Sequence, residues 1–230
     1  MPARMLGATL MADGHDVTFL GPSLAAAPFA RSLNEIEPRA ALLSCTNPMN
    51  LPGARRTIEV AHRAGVPVIL GGRALDAGGV RARALGADAS ATDADGAAEI
   101  LAAWTHRRPA RADAADICLE AAELEVPPTG LVDDCVLELL QREPSLRDMI
   151  DAQLERTRDD VCDILCHCAA ALVARDHTVL DEFTMWLRDH RGVRGVPPST
   201  VRVSCECIAS VLGGGFPRSV AMLTAAASSI

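Results

Sequence analysis

The residues best able to do chemistry in this 230-residue chain are its cysteines and histidines. Seven of the eight cysteines follow residue 115, clustered as Cys162, Cys166, Cys168 and then Cys205, Cys207. Cys162 and Cys166 stand one helical turn apart and share a face. Joined by Cys205 and Cys207, they would make a four-thiolate zinc site. Two features weigh against it. There is no Cys-x-x-Cys pair, and Cys-x-Cys on a helix points its two thiols about 200° apart. The favoured reading is cysteine as a small core residue. His15 sits in a turn between a helix and an apolar stretch and reads as solvated. His62 and His106 read as helix-surface residues. All 22 basic residues are arginine, and tyrosine is absent. Schiff-base lysine chemistry, a P-loop lysine and phenol acid/base catalysis are thereby excluded.

A second group has hydroxyls and bare backbone to offer. Ser44-Cys45-Thr46 follows an apolar run, Gly71-Gly72 follows another, and Gly21 closes a third. The elements that position them alternate. Helical periodicity covers 2–13, 24–36, 53–64, 77–85 and 94–106. Between these lie apolar strands at 17–20, 40–44 and 66–70, and a weak edge strand at 87–90. Short βα connections imply a parallel sheet covered by helices. Ligands of such sheets sit beyond the strand carboxyl ends. Gly21, Ser44, Thr46, Gly71 and Gly72 all fall there. Ser44 and Thr46 offer hydrogen bonds, and the glycines allow close backbone approach. The pattern starts with a helix, so either the usual first strand of a doubly wound sheet is missing from this chain or another segment takes its place.

The second half loses the strand pattern. Residues 109–130 read as a linker with a short helix. Helical spacing then covers 131–141, 146–174, 178–191, 198–212 and 217–227, which implies an antiparallel bundle. Trp186, Phe183 and Leu187 read as its core. Asp159-Asp160 and Asp181-Glu182 read as helix-start charges. The expected organisation is an α/β domain over 1–108, a linker over 109–130 and an all-α bundle over 131–230. Net charge is −8. Residues 1–108 carry 11 Arg against 10 Asp plus Glu, and the remainder 11 against 20. An acidic second half repels phosphate, so nucleic acid is not an expected partner. No apolar run reaches the ~20 residues of a membrane span, and a cytoplasmic location is expected.

The first half resembles the cobalamin-binding domain of methionine synthases, corrinoid methyltransferases, mutases and cobalamin-dependent regulators. Ser44-Cys45-Thr46 fits that family's Ser-x-Thr element, and Gly71-Gly72 its Gly-Gly element. The 24 residues between Thr46 and Gly71 are slightly fewer than usual. The stretch from Gly14 to Gly21 is similar to the second-strand motif, and Gly86-Ala87-Asp88 to the motif before the last strand. The resemblance implies a flavodoxin-like (Rossmann-type) domain and a cobalamin cofactor. It implies a cofactor-binding set of Gly21, Ser44, Thr46, Gly71 and Gly72, whose deep cleft holds the nucleotide tail. The family's Asp-x-His-x-x-Gly element falls out of reach. Counting back from Ser44 puts Pro2 at its glycine and the axial, cobalt-ligating histidine two residues before Met1. The favoured expectation is an upstream start in a longer reading frame; the alternative is a truncated, degenerate domain.

The second half, with Gln153, Thr157, Asp160, Trp186-Leu187, Arg194-Gly195-Val196-Pro197 and Phe216-Pro217-Arg218, resembles a helical region following such domains in actinobacterial-type proteins. That implies sensing, dimerisation or covering of the corrin face. The expected function is a cobalamin-binding sensor or regulatory module, not a self-sufficient enzyme. It would work through a protein partner or a homo-oligomer formed by the helical half. The alternatives are a corrinoid carrier subunit of a methyltransferase system, or an apo module without cofactor.

Overall fold

The computed structural model describes residues 2–22, 24–104, 118–146, 151–193 and 199–230. His106, residues 109–117 and the 194–197 turn lie outside them. The chain divides into two compact units, Met1–Asp116 and Ile117–Ile230.

The first unit runs α1 (Pro2–Ala12), α2 (Ala26–Ile36), β1 (Ala41–Ser44), α3 (Leu51–Arg63), β2 (Val68–Gly71), α4 (Val80–Ala84), β3 (Ala89–Ala91), α5 (Ala94–Ala103). The three strands are parallel in the order β1-β2-β3. Ala41 stands opposite Val68 and Ser44 opposite Gly71; Gly71 in turn stands opposite Ala91. An inner parallel strand is covered on both faces and must be apolar throughout. β2 obeys this, with Val68, Ile69 and Leu70 all buried. Ile69 packs with Leu10 of α1, Leu101 of α5 and Trp104 on one face. The period of two turns Val68 and Leu70 to the other face, and α3 packs on β2 there.

Local chemistry sets the helix ends. Pro52 occupies the first turn of α3, where its missing N–H costs nothing. Past the end of α3, Gly65 takes φ +76, and its N–H donates to His62 O at 3.0 Å. The Asp93 carboxylate caps α5 by accepting the Gly96 N–H at 2.8 Å.

The strand expected at 17–20 is a correction. This segment is neither helix nor strand and joins no ladder among the described residues. Among the described residues, β1 is hydrogen-bonded on one side only. The N–H groups of Ala41 and Cys45 donate to Pro67 and Gly71, and strand alternation leaves those of Leu42 and Ser44 on the opposite edge. In the doubly wound order a further strand lies between this segment and β1. Apolar composition therefore supplies a side-chain contact, Val17 against the Leu10 cluster, but no backbone partner.

The second unit holds α6 (Leu119–Leu124), α7 (Thr129–Arg142), α8 (Asp151–Ala174), α9 (Thr178–Val193), α10 (Ser199–Leu212) and α11 (Pro217–Ser229). α8 is its axis and packs on α6, α7, α9, α10 and α11. The run Ala169-Ala170-Ala171, with Ala174, is fully buried, so small side chains let neighbouring helices approach. α6 is the short helix within the stretch read as linker; its Leu124 is fully buried. Its Glu120 caps α11, accepting the Ser219 N–H at 2.8 Å and the Ser219 hydroxyl at 2.7 Å.

Two further expectations change. Trp186 is 56% exposed and lies outside the core, whereas Leu187 is buried. One residue along a helix turns the side chain by about 100°, and α9 spends its inward face on Leu180, Thr184 and Leu187. Trp186 instead belongs to a surface stack, with ring centroids 5.8 Å from Phe183 and 4.9 Å from His190. Phe183 stacks inward on His167 at 3.7 Å. Asp160 is not a helix-start charge, because α8 begins nine residues earlier, at Asp151. It pairs with the buried Arg191, whose Nε donates at 2.9 Å. Asp181, in contrast, does sit in the first turn of α9.

Candidate functional site at the strand carboxyl ends

Ser44 ends β1 and Gly71 ends β2, directly opposite one another. The next residues cross-link the two loops. The Cys45 N–H donates to Gly71 O at 2.8 Å, and the Ala74 N–H donates to Cys45 O at 3.1 Å. Gly72 has φ +111, and a Cβ there would lie 2.2 Å from Cys45 O. A Cβ on Gly71 would lie 2.8 Å from Ala91 O. The Gly-Gly pair is thus demanded first by the protein's own backbone, which closes β1, β2 and β3 against each other. The ligand-side reason expected from sequence is not needed to explain it.

This closure turns Cys45 inward and its neighbours outward. Cys45 is buried, its thiol donating to Asn47 O at 3.4 Å. Burial pushes that thiol up to about 11, so it stays protonated at neutral pH. Ser44 and Thr46 are exposed, and neither hydroxyl has a partner among the described residues. Two free hydroxyls therefore flank one fixed backbone position. Gly21, at φ +90 with nothing near a Cβ, ends the unladdered segment. No hydrogen bond among the described residues ties it to the other four. Ser44, Thr46, Gly71 and Gly72 are brought together.

The loop after β2 is anchored from beneath. Arg81 is buried, and its Nη1 donates to Ala74 O at 3.0 Å. Asp76 accepts the N–H groups of Val80 at 2.9 Å and Arg81 at 2.8 Å. Burial works to raise the Asp76 carboxyl, but these N–H groups and the Arg81 charge carry it below its ordinary value. Sequence reading missed both residues. An Asp four residues before a helix that follows two glycines was the available signal.

The histidines lie elsewhere. His15 follows Gly14 at the end of α1, at the amino end of its segment. His62 corrects the surface assignment. Its side chain is 7% exposed, and Nε2 is 2.8 Å from Asp88 Oδ2. The same oxygen accepts the Val68 N–H at 2.8 Å. This pair joins α3 to the starts of β2 and β3, at the sheet's amino end. Asp88 is the last residue of the Gly86-Ala87-Asp88 motif, which signalled a conformation without naming this contact. The His62 Nδ1 is buried with no partner among the described residues.

Among the described residues no group of three or more His, Cys, Asp or Glu side chains is placed to hold a metal. Cys135, Cys168, Cys205 and Cys207 are buried as core residues. Cys205 lies near Cys168, and Cys207 near Cys135, as the angular separation of Cys-x-Cys requires. Burial is the main cause pushing Cys168 and Cys205 up to about 12.

The four converging residues present neutral hydroxyls and glycine backbone. That donor set suits a ligand recognised by hydrogen bonds and shape, such as an amide-rich macrocycle with a nucleotide tail, and so fits a corrinoid. Residues 1–102 match the B12 binding domain family. A search of curated proteins finds no match to the chain.

Proposed function

We propose, taking residues 1–102 as a B12-binding domain, that this protein is a cobalamin-binding sensor or regulatory protein. Ser44, Thr46, Gly71, Gly72 and Gly21 form the protein side of the cofactor contact in this reading. The observation carrying it is the pair of unpartnered hydroxyls, Ser44 and Thr46, flanking the fixed Cys45 backbone against Gly71-Gly72. The hydroxyls donate to or accept from the ligand's polar edge. The rigid loops keep these groups in place before binding, which lowers the ordering cost. When bound, the corrinoid supplies any redox or group-carrying chemistry.

The regulatory role rests on the second unit. It is a helical body with its own core, joined to a ligand-binding domain, and it displays an exposed aromatic stack at Trp186. Such a surface suits a protein partner or a second copy. The test has two stages. Purified protein is mixed with hydroxocobalamin or adenosylcobalamin, desalted, and read by visible absorbance; a colourless protein refutes cobalamin binding. The loaded protein is then sized in the dark and after illumination. A light-dependent change in oligomer size supports the sensor. Methyl transfer to a partner enzyme, without any such change, supports a corrinoid carrier.

A further inference from the structure

We propose that Arg73 recognises the phosphodiester of the cofactor's nucleotide tail and so makes the site select complete cobalamins over tail-less corrinoids. The inference rests on the cobalamin reading above and adds a specificity residue to it. Three observations carry it. First, Arg73 has a fixed backbone. Gly72 before it is pressed against Cys45 O, and Ala74 after it is buried. The Ala74 N–H donates to Cys45 O at 3.1 Å, and Ala74 O accepts from Arg81 Nη1 at 3.0 Å. Second, the Arg73 side chain is exposed and has no partner among the described residues. The neighbouring guanidinium groups are engaged, Arg81 with Ala74 O and Arg83 with Gly78 O. Third, the charge is isolated. The loops that follow β1, β2 and β3 are 45–50, 72–79 and 92–93. Arg73 is their one cation among the described residues. The anions there, Asp76 and Asp93, are committed to the starts of α4 and α5.

A free guanidinium on a pinned backbone, one residue from the Gly-Gly turn, is a preorganised anion contact. It also matches the ligand's chemistry. A cobalamin carries amide side chains and a single phosphodiester, so one cation beside neutral hydroxyls is the complementary set. Arginine suits this because its planar fork pairs with two phosphate oxygens at once. Lysine would offer only a point charge.

The experiment compares adenosylcobalamin with adenosylcobinamide, which lacks the nucleotide and its phosphate. Both are titrated by calorimetry into the full-length wild-type protein, Arg73→Ala and Arg73→Lys, with folding checked by circular dichroism. Arg73→Ala is expected to weaken adenosylcobalamin about tenfold and leave adenosylcobinamide unchanged. Arg73→Lys is expected to fall between, and the wild-type preference to shrink as salt rises. Equal affinities of wild type and Arg73→Ala for adenosylcobalamin would overturn the proposal, as would equal losses for both ligands. A wild-type protein that binds cobalamin and cobinamide equally also overturns it while leaving cobalamin binding intact. A wild-type protein that binds neither refutes the cobalamin reading itself, and Arg73 with it.

Discussion

Removing the Asp88 carboxylate should destabilise the first unit more than any surface substitution. The side chain is fully buried, and one oxygen accepts both the Val68 N–H and the His62 ring nitrogen at 2.8 Å. Asp88→Ala strands both buried donors. Each unsatisfied buried group costs about 1–3 kcal/mol, so stranding the two together should cost about 3–5 kcal/mol, a large part of the ~5–15 kcal/mol that holds a typical domain together. Asp88→Asn keeps an amide oxygen able to accept, so about 1–2 kcal/mol should be lost. The assay is simple because the chain has two tryptophans. Trp104 is buried in the first unit, and Trp186 is exposed in the second. In a Trp186→Phe background, Trp104 fluorescence alone reports unfolding of the first unit. With a urea slope of about 2 kcal/mol per molar, Asp88→Ala should lower the midpoint by roughly 1.5–2.5 M. A shift below about 0.5 M would refute the reasoning. A double-mutant cycle with His62→Ala should return a coupling of at least ~1 kcal/mol; additive losses would mean that the two side chains do not share the interaction.

Two more outcomes follow from the geometry. Gly72→Ala should destabilise the first unit by more than about 3 kcal/mol, because its Cβ would sit 2.2 Å from Cys45 O at φ +111; soluble protein with an unchanged Trp104 unfolding midpoint would contradict the closure of the two loops. Burial works to raise the Glu120 carboxyl, but the Ser219 N–H and hydroxyl, with the Arg218 N–H and charge, bring it below its ordinary value. A lowered folded pKa gives stability that is present above the unfolded value of about 4.3 and lost as pH falls below it through the folded value. Trp186-monitored unfolding of the second unit should therefore weaken from about pH 5 downward, and Glu120→Gln should flatten that slope while costing about 1 kcal/mol at pH 7; an identical pH profile in the variant would rule out the cap as its source.

Periodicity was enough to order the elements, because each helix and inner strand must bury a stripe of its own sequence. The α8 boundary at Ala174 and the α3 start beside Pro52 were legible from Asp176, which follows α8, and from the proline itself. The Ser44-Cys45-Thr46 and Gly71-Gly72 elements were legible because each closes an apolar strand, and they were read as a unit through the resemblance to a cobalamin-binding domain. His62, Asp88, Arg81 and Trp186 were read poorly, or not at all, for one reason. Whether a polar side chain is buried depends on a partner distant in sequence, here Asp88 for His62 and Asp160 for Arg191. Whether an aromatic is exposed depends on which face the neighbouring helix covers.

The sequence by itself determined the α/β half, the helical half and the resemblance to a cobalamin-binding domain. Local spacing carries those, and the match of residues 1–102 to the B12 binding domain family agrees. Only the tertiary structure decided why the glycines stand where they do. Gly71 and Gly72 meet Ala91 O and Cys45 O across the sheet, contacts between backbones that no local pattern encodes. It also decided that 17–20 has no ladder partner among the described residues, since a strand needs a neighbour's backbone groups as well as apolar residues of its own. And it placed Arg73 on a fixed backbone with no side-chain partner among the described residues, a property of what surrounds it.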